Sequence, residues 1–143
     1  MGKVCSNLSG REGPLPDVAR PKIPKTLKVT ILKAAGLKHL NMSGDNIYVL
    51  CEMSQVAGKE PQKFKTTTKK NALSPEWNEF YEMQWAETDG LTFTIFDEGM
   101  LSDRTEGKVQ VPRDKFMPNG YSGELPIAGC DKGTLTVRIE PVY

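Results

Sequence analysis

Period-two alternation is the first signal along this chain. Leu27, Val29 and Ile31 alternate with Lys28 and Thr30; Ile47, Val49, Cys51 and Met53 alternate with Tyr48, Leu50 and Glu52. Leu91, Phe93 and Ile95 alternate with Thr92 and Thr94, and Leu135, Val137 and Ile139 with Thr136, Arg138 and Glu140. Successive side chains of a strand point to opposite faces, so each run predicts a strand with one apolar face. Weaker runs at 62–68, 78–85, 105–111 and 121–127 bring the count to about eight, separated by Gly-, Pro-, Asn- and Asp-rich turns. No window carries a helical repeat, and no self-similarity of solenoid or propeller period occurs. A strand with one apolar face has to bury it against a second layer. The pattern therefore predicts an all-β chain, an eight-stranded antiparallel β-sandwich over residues 26–143.

Residues 1–25 read differently. Gly10, Gly13, Pro14, Pro16, Pro21 and Pro24 punctuate them, and proline fixes φ and lacks an N–H, so neither a helix nor a central strand is expected there. The segment is read as a disordered, flexible Pro/Gly-rich leader. It carries net charge +3 against about −2 for the rest of the chain, which suits a tether near an anionic surface as well as a solvated tail. It opens MGKVCS, which fits the myristoylation pattern M-G-x-x-x-[ST]. Gly2 offers an unhindered α-amine for the amide, and Cys5 a thiol for a palmitoyl thioester. No apolar signal region follows Met1 and no stretch approaches the ~18 apolar residues of a spanning helix. Three widely spaced cysteines, Cys5, Cys51 and Cys130, argue against a disulfide framework and a zinc site.

In order along the chain, LKVTILKAAGL (27–37), IYVLCEM (47–53), KFKT (63–66) with LSPEWNEFYEM (73–83), LTFTIFDEG (91–99) and EGKVQVP (106–112) resemble the C2 domain, a calcium- and lipid-binding β-sandwich module. The opening strand LKVTILKAAGL and the closing GTLTVRIEP resemble the type II strand order. Pro75 belongs in the turn before a strand, and Trp77 and Phe80 are expected to close the core.

The resemblance implies a calcium site in the first and third apical loops, but the loops depart from it. Asn41 and Asn46 stand where the family places aspartates, with Asp45 adjacent. Asp97 matches; Gly99 replaces the next acid; Arg104 lies at or beside the last, with Asp103 next to it. Calcium takes six to eight oxygens, and an arginine repels it. The expectation is no tightly bound cofactor, with at most a weak calcium site built from Asp45, Asp97 and Asp103 with Asn41 and Asn46. Met42, Met100 and Leu101 sit at the crests of the same loops, as bilayer-inserting residues or as partly buried caps. Lys63 and Lys65 share one face of a strand, with Lys69 and Lys70 close by; relatives use such a strand for lipid headgroups, and the alternative is a solvated edge.

No catalytic motif occurs, and the lone His39 has no partner motif, so no enzyme activity is expected. Few aromatics interleave with the basic residues, which gives nucleic-acid binding no support. Two function classes remain. One is a peripheral module at the cytoplasmic face of a membrane, lipid-anchored and binding anionic lipids largely without calcium. The other is a protein-interaction scaffold of a membrane-associated assembly.

Overall fold

A computed structural model describes residues 22–38, 45–55 and 59–143. Gly2, Cys5, Asn41 and Met42 lie outside the described residues. The strands are β1 (Thr26–Ala35), β2 (Ile47–Met53), β3 (Gln62–Lys65), β4 (Glu76–Gln84), β5 (Gly90–Asp97), β6 (Arg104–Pro112), β7 (Tyr121–Pro126) and β8 (Thr134–Val142), with the helical turn α1 (Arg113–Phe116) between β6 and β7. They pair antiparallel in two four-stranded sheets, ordered β4-β1-β8-β7 and β3-β2-β5-β6. The all-β sandwich read from the alternation is the observed fold, with the first and last strands side by side in one sheet.

The inward residues of the alternating runs meet in one core. Leu27, Val29 and Ile31 of β1, Val49 and Cys51 of β2, Phe93 and Ile95 of β5, and Val137 and Ile139 of β8 are all sealed from solvent. Burial there pushes the Cys51 thiol well above its ordinary range, which makes it an inert core residue. Phe116, at the end of α1, plugs the sandwich at the end away from the apical loops. At the edge where the sheets meet, Phe64 of β3 stacks on Tyr81 of β4 at 4.1 Å. Trp77 is buried as expected, and its indole N–H donates to the Thr67 carbonyl at 2.8 Å. Phe80 corrects the expectation. With Trp77, Tyr81 and Met83 turned inward, period two sends Phe80 outward, where it is 59% exposed under the Lys28 ammonium at 4.4 Å.

Two irregularities break the alternation. Between β1 and β8 the register shifts from Ile31↔Val137 to Lys33↔Thr136, so the extra residue Leu32 lets Ala34, not Lys33, turn inward. Between β5 and β6 it shifts from Ile95↔Gly107 to Phe96↔Thr105, leaving Glu106 as the extra residue on β6.

Truncating a fully buried aromatic tests the layer assignment. Phe93→Ala should lower unfolding free energy by ~3–5 kcal/mol, the usual cost of deleting a core aromatic. Urea denaturation reads this, and a cost under ~1 kcal/mol would show that Phe93 is not between the sheets.

Candidate functional site at the loop end of the sandwich

The described parts of four connections converge on one end: 36–38 with 45–46, 66–75, 98–103 and 127–133. Backbone contacts tie them together. Glu98 N–H donates to the Asn46 carbonyl at 2.7 Å, Asn46 N–H to the Asp97 carboxylate at 2.9 Å, and Ala72 N–H to the Asp45 carbonyl at 3.0 Å. Gly36, at φ +68°, lies so close to Lys132 that a β-carbon would stand 2.0 Å from its carbonyl oxygen, so only glycine permits this approach.

Under these loops lies an acidic group. Asp45 and Asp97 are fully buried, and Glu106, 4% exposed, joins them. Glu106 was not among the sequence candidates. Simple alternation from Val111 and Val109 points Glu106 outward, and only the β6 bulge turns it in. Burial, then the neighbouring Asp45 carboxyl, then the charge of Asp97 push the Glu106 carboxyl up from 4.5 to about 7. The Lys38 backbone amide acts in the opposite sense, but it does not meet hydrogen-bond geometry, since neither carboxyl oxygen of Glu106 has a partner that does. A proton on Glu106 turns its contact with Asp45 from repulsion into a hydrogen bond.

The third expected acid lies elsewhere. Asp103 is exposed on the outer side of the second sheet. One carboxylate oxygen accepts from the Tyr48 hydroxyl, and the other from Gly99 N–H at 3.2 Å. Those two hydrogen bonds, with Lys65 nearby, hold its carboxyl below the usual range. Burial and then Asp103 raise the Tyr48 phenol to about 12. The Tyr48 ring stacks on Phe96 at 5.2 Å and carries the Lys65 ammonium 5.2 Å above it. Asn46 contributes backbone and accepts Asn71 N–H on its amide oxygen at 3.3 Å. Among the described residues, no group of three or more His, Cys, Asp or Glu side chains is arranged to hold a metal ion.

The basic candidates divide. Lys63 and Lys65 project from β3, an edge strand, with Glu52 and Leu50 directly opposite. Lys70 is exposed. Lys69 is half-buried, bridged through its backbone to Ile47, and its charge acts on Glu79. Lys108, missed in the sequence, falls in the same cross-strand row as Lys65, through Leu50 and Thr94. At the tip of 98–103, Met100 and Leu101 are as exposed as in an extended chain. A shallow depression of about 400 Å³ at the opposite end is lined by Glu87, Asp89 and Asp114 with Arg113, and the Arg113–Glu87 ion pair at 3.8 Å occupies it with opposed charges.

The sequence profile of the family described as C2 domain matches residues 25–127. Among solved structures, the paired C2 domains of extended synaptotagmin 2 with calcium bound superpose with TM-score 0.71 at 23% identity, over 85% of this chain and 46% of that one. A C2 domain of plant extended synaptotagmin 1 gives 0.66 at 23%, over 85% of this chain and 98% of that one. Human group IVD cytosolic phospholipase A2 gives 0.67 at 23%, over 87% of this chain and 18% of the enzyme. At these identities the likeness is one of fold. The chain spans about half or less of the synaptotagmin 2 fragment and a small part of the phospholipase.

The acidic group predicts a pH signature. Because the fold raises the Glu106 pKa above 4.5, the stability this residue contributes is fully present below pH ~4.5 and is lost as pH rises through about 7. Glu106→Gln should remove that decline and stabilise the protein at pH 8 by on the order of 1–3 kcal/mol. Thermal melts from pH 5 to 8 decide it; parallel curves for both proteins would mean that Glu106 is ionised in the fold throughout.

Proposed function

The chain belongs to the C2 domain family, and from that premise we propose that it is a non-catalytic peripheral membrane module whose apical loops meet a bilayer. C2 domains are membrane- and lipid-binding modules, and the family is characteristically a binding module rather than a catalyst. The observation that carries the reading is the pair Met100–Leu101, fully exposed at the tip of the β5–β6 loop. Water gains nothing from displaying two large apolar side chains there, whereas burying each in lipid is worth ~1.5–3 kcal/mol. Lys63, Lys65 and Lys70 stand on the flank, and each lysine near an anionic surface adds ~1 kcal/mol, reduced by salt. Met42 is proposed to join the insertion.

Calcium is given a minor part. Asp103 is held by Tyr48 and Gly99 rather than directed at Asp97. Asn41 and Asn46 bring no charge to the first loop. A weak site with Asp45 and Asp97 is the most that this donor set supports.

The leader is proposed to carry a myristoyl group on Gly2 and a palmitoyl group on Cys5, as the second tether that one acyl chain requires, since myristate alone binds with K of ~10⁴ M⁻¹. Thr26, where β1 begins, is at the end of the sandwich away from the loops, a separation of roughly 30 Å along a ten-residue strand. The residues between Gly2 and Lys25 reach at most ~80 Å when extended. Both attachments can therefore serve one bilayer. A membrane with anionic lipid on its cytoplasmic face is the surface that fits. The scaffold reading rests on Phe80, a large apolar ring exposed on the outer face of the first sheet away from the loops, where a protein partner would seat.

Sedimentation of the full chain with vesicles containing phosphatidylserine tests the reading. Met100→Asp with Leu101→Asp should reduce binding at least tenfold, and Lys63→Glu with Lys65→Glu should weaken it and flatten its salt dependence. Chelating calcium should change it less than twofold. Binding that survives the loop-tip changes, or that vanishes on chelation, would sink this account. Intact mass after expression in a eukaryotic cell checks the leader: wild type should gain a myristoyl group and Gly2→Ala should not.

A further inference from the structure

The β5–β6 loop is short and turns sharply. A β-carbon on Gly99 would stand 2.3 Å from the Ser102 carbonyl oxygen, so the chain nearly touches itself across Met100 and Leu101. Both apolar side chains point to solvent and make no anchoring contact with the core. What fixes the turn is Asp103. Its carboxylate spans from Gly99 N–H, at the start of the turn, to the Tyr48 hydroxyl on β2. Tyr48 is itself held firmly: it is buried, its ring stacks on Phe96 and the Lys65 ammonium lies over it. An exposed crest is thus pinned at its base to a rigid strand by two hydrogen bonds to one charged group, the stronger kind.

We propose that Tyr48 and Asp103 form a latch that holds the 99–103 turn in the shape that presents Met100 and Leu101 to the bilayer. The inference rests on the membrane reading and deepens it. Tyr48 and Asp103 are positioning residues. They act through the loop crest and insert nothing themselves. Preorganisation of this kind raises affinity by removing the ordering cost from the binding step. It also gives Asp103 a use other than metal ligation, and places Lys65 where the latch and the basic strand meet.

The test uses the full chain with Tyr48→Phe, Asp103→Ala and the double variant. Amide hydrogen exchange over 99–103 should accelerate about tenfold in Tyr48→Phe, the factor for losing one hydrogen bond to a charged acceptor, and by more than that in Asp103→Ala and the double variant, which lose both. Exchange in β2 and β5 should stay near wild type. The double variant should be no worse than Asp103→Ala, because the two residues serve one contact. Partition onto phosphatidylserine vesicles should fall several-fold in all three without calcium. Unchanged exchange at 99–103 would overturn the latch whatever the vesicles do. A loosened loop with unchanged or tighter vesicle binding would overturn the positioning role, tighter binding marking Asp103 as a resident competitor for Lys65. If wild type binds no vesicle while the variants still loosen the loop, the membrane reading fails and the latch stands as a loop organiser only.

Discussion

Everything in this molecule depends on strands that are apolar on one side only. Each such face has to leave water, and two four-stranded sheets placed face to face are the arrangement that buries all of them. Antiparallel pairing then decides where the connections go. β1 delivers the chain to the same end as β5, so Asn46 and Glu98 are neighbours although more than fifty positions separate them. The core contributes no chemistry of its own. It fixes the geometry of a loop cluster at one end of the sandwich.

At that cluster, polar groups are arranged against the hydrophobic gradient. Asp45, Asp97 and Glu106 are buried at the base, while Met100 and Leu101 stand exposed at the tip. Burying acids costs free energy unless charge is cancelled. Asp97 is helped by the Asn46 amide, and Glu106 tends to keep its proton to near neutrality. Displaying apolar tips to water also costs free energy, and a bilayer removes that cost. The two unfavourable features lie at one end of the sandwich, which is where a binding module of this family would place its work.

The fold was legible because burial writes itself into alternation. The runs at 27–31, 47–53, 91–95 and 135–139 match buried rows, and the quoted motifs placed the chain in its family. Bulges were not legible. Nothing in RTEGKVQ announces that Glu106 is the extra residue of β6 and faces inward, because a bulge is set by how the partner strand pairs. Phe80 was misplaced for the related reason that a motif was read as core where strict alternation from Trp77 sends it out. The loop acids were found by resemblance. Their division into a buried pair and an outward Asp103 depends on Tyr48, whose own role as hydrogen-bond donor only the packed sheet reveals. For the lysines, sequence proximity grouped four, whereas the strand register groups Lys63 with Lys65 and leaves Lys69 outside the strand, half-buried, with its charge acting on Glu79.

The orientation on the membrane is the claim most open to direct measurement. Tryptophan introduced at Leu101 should be quenched by lipids brominated along the acyl chain when the protein binds vesicles. Tryptophan introduced at Glu87, at the far end of the sandwich, should not be. Quenching at position 87 without quenching at 101, or at neither position in bound protein, would contradict a module that faces the bilayer with its apical loops.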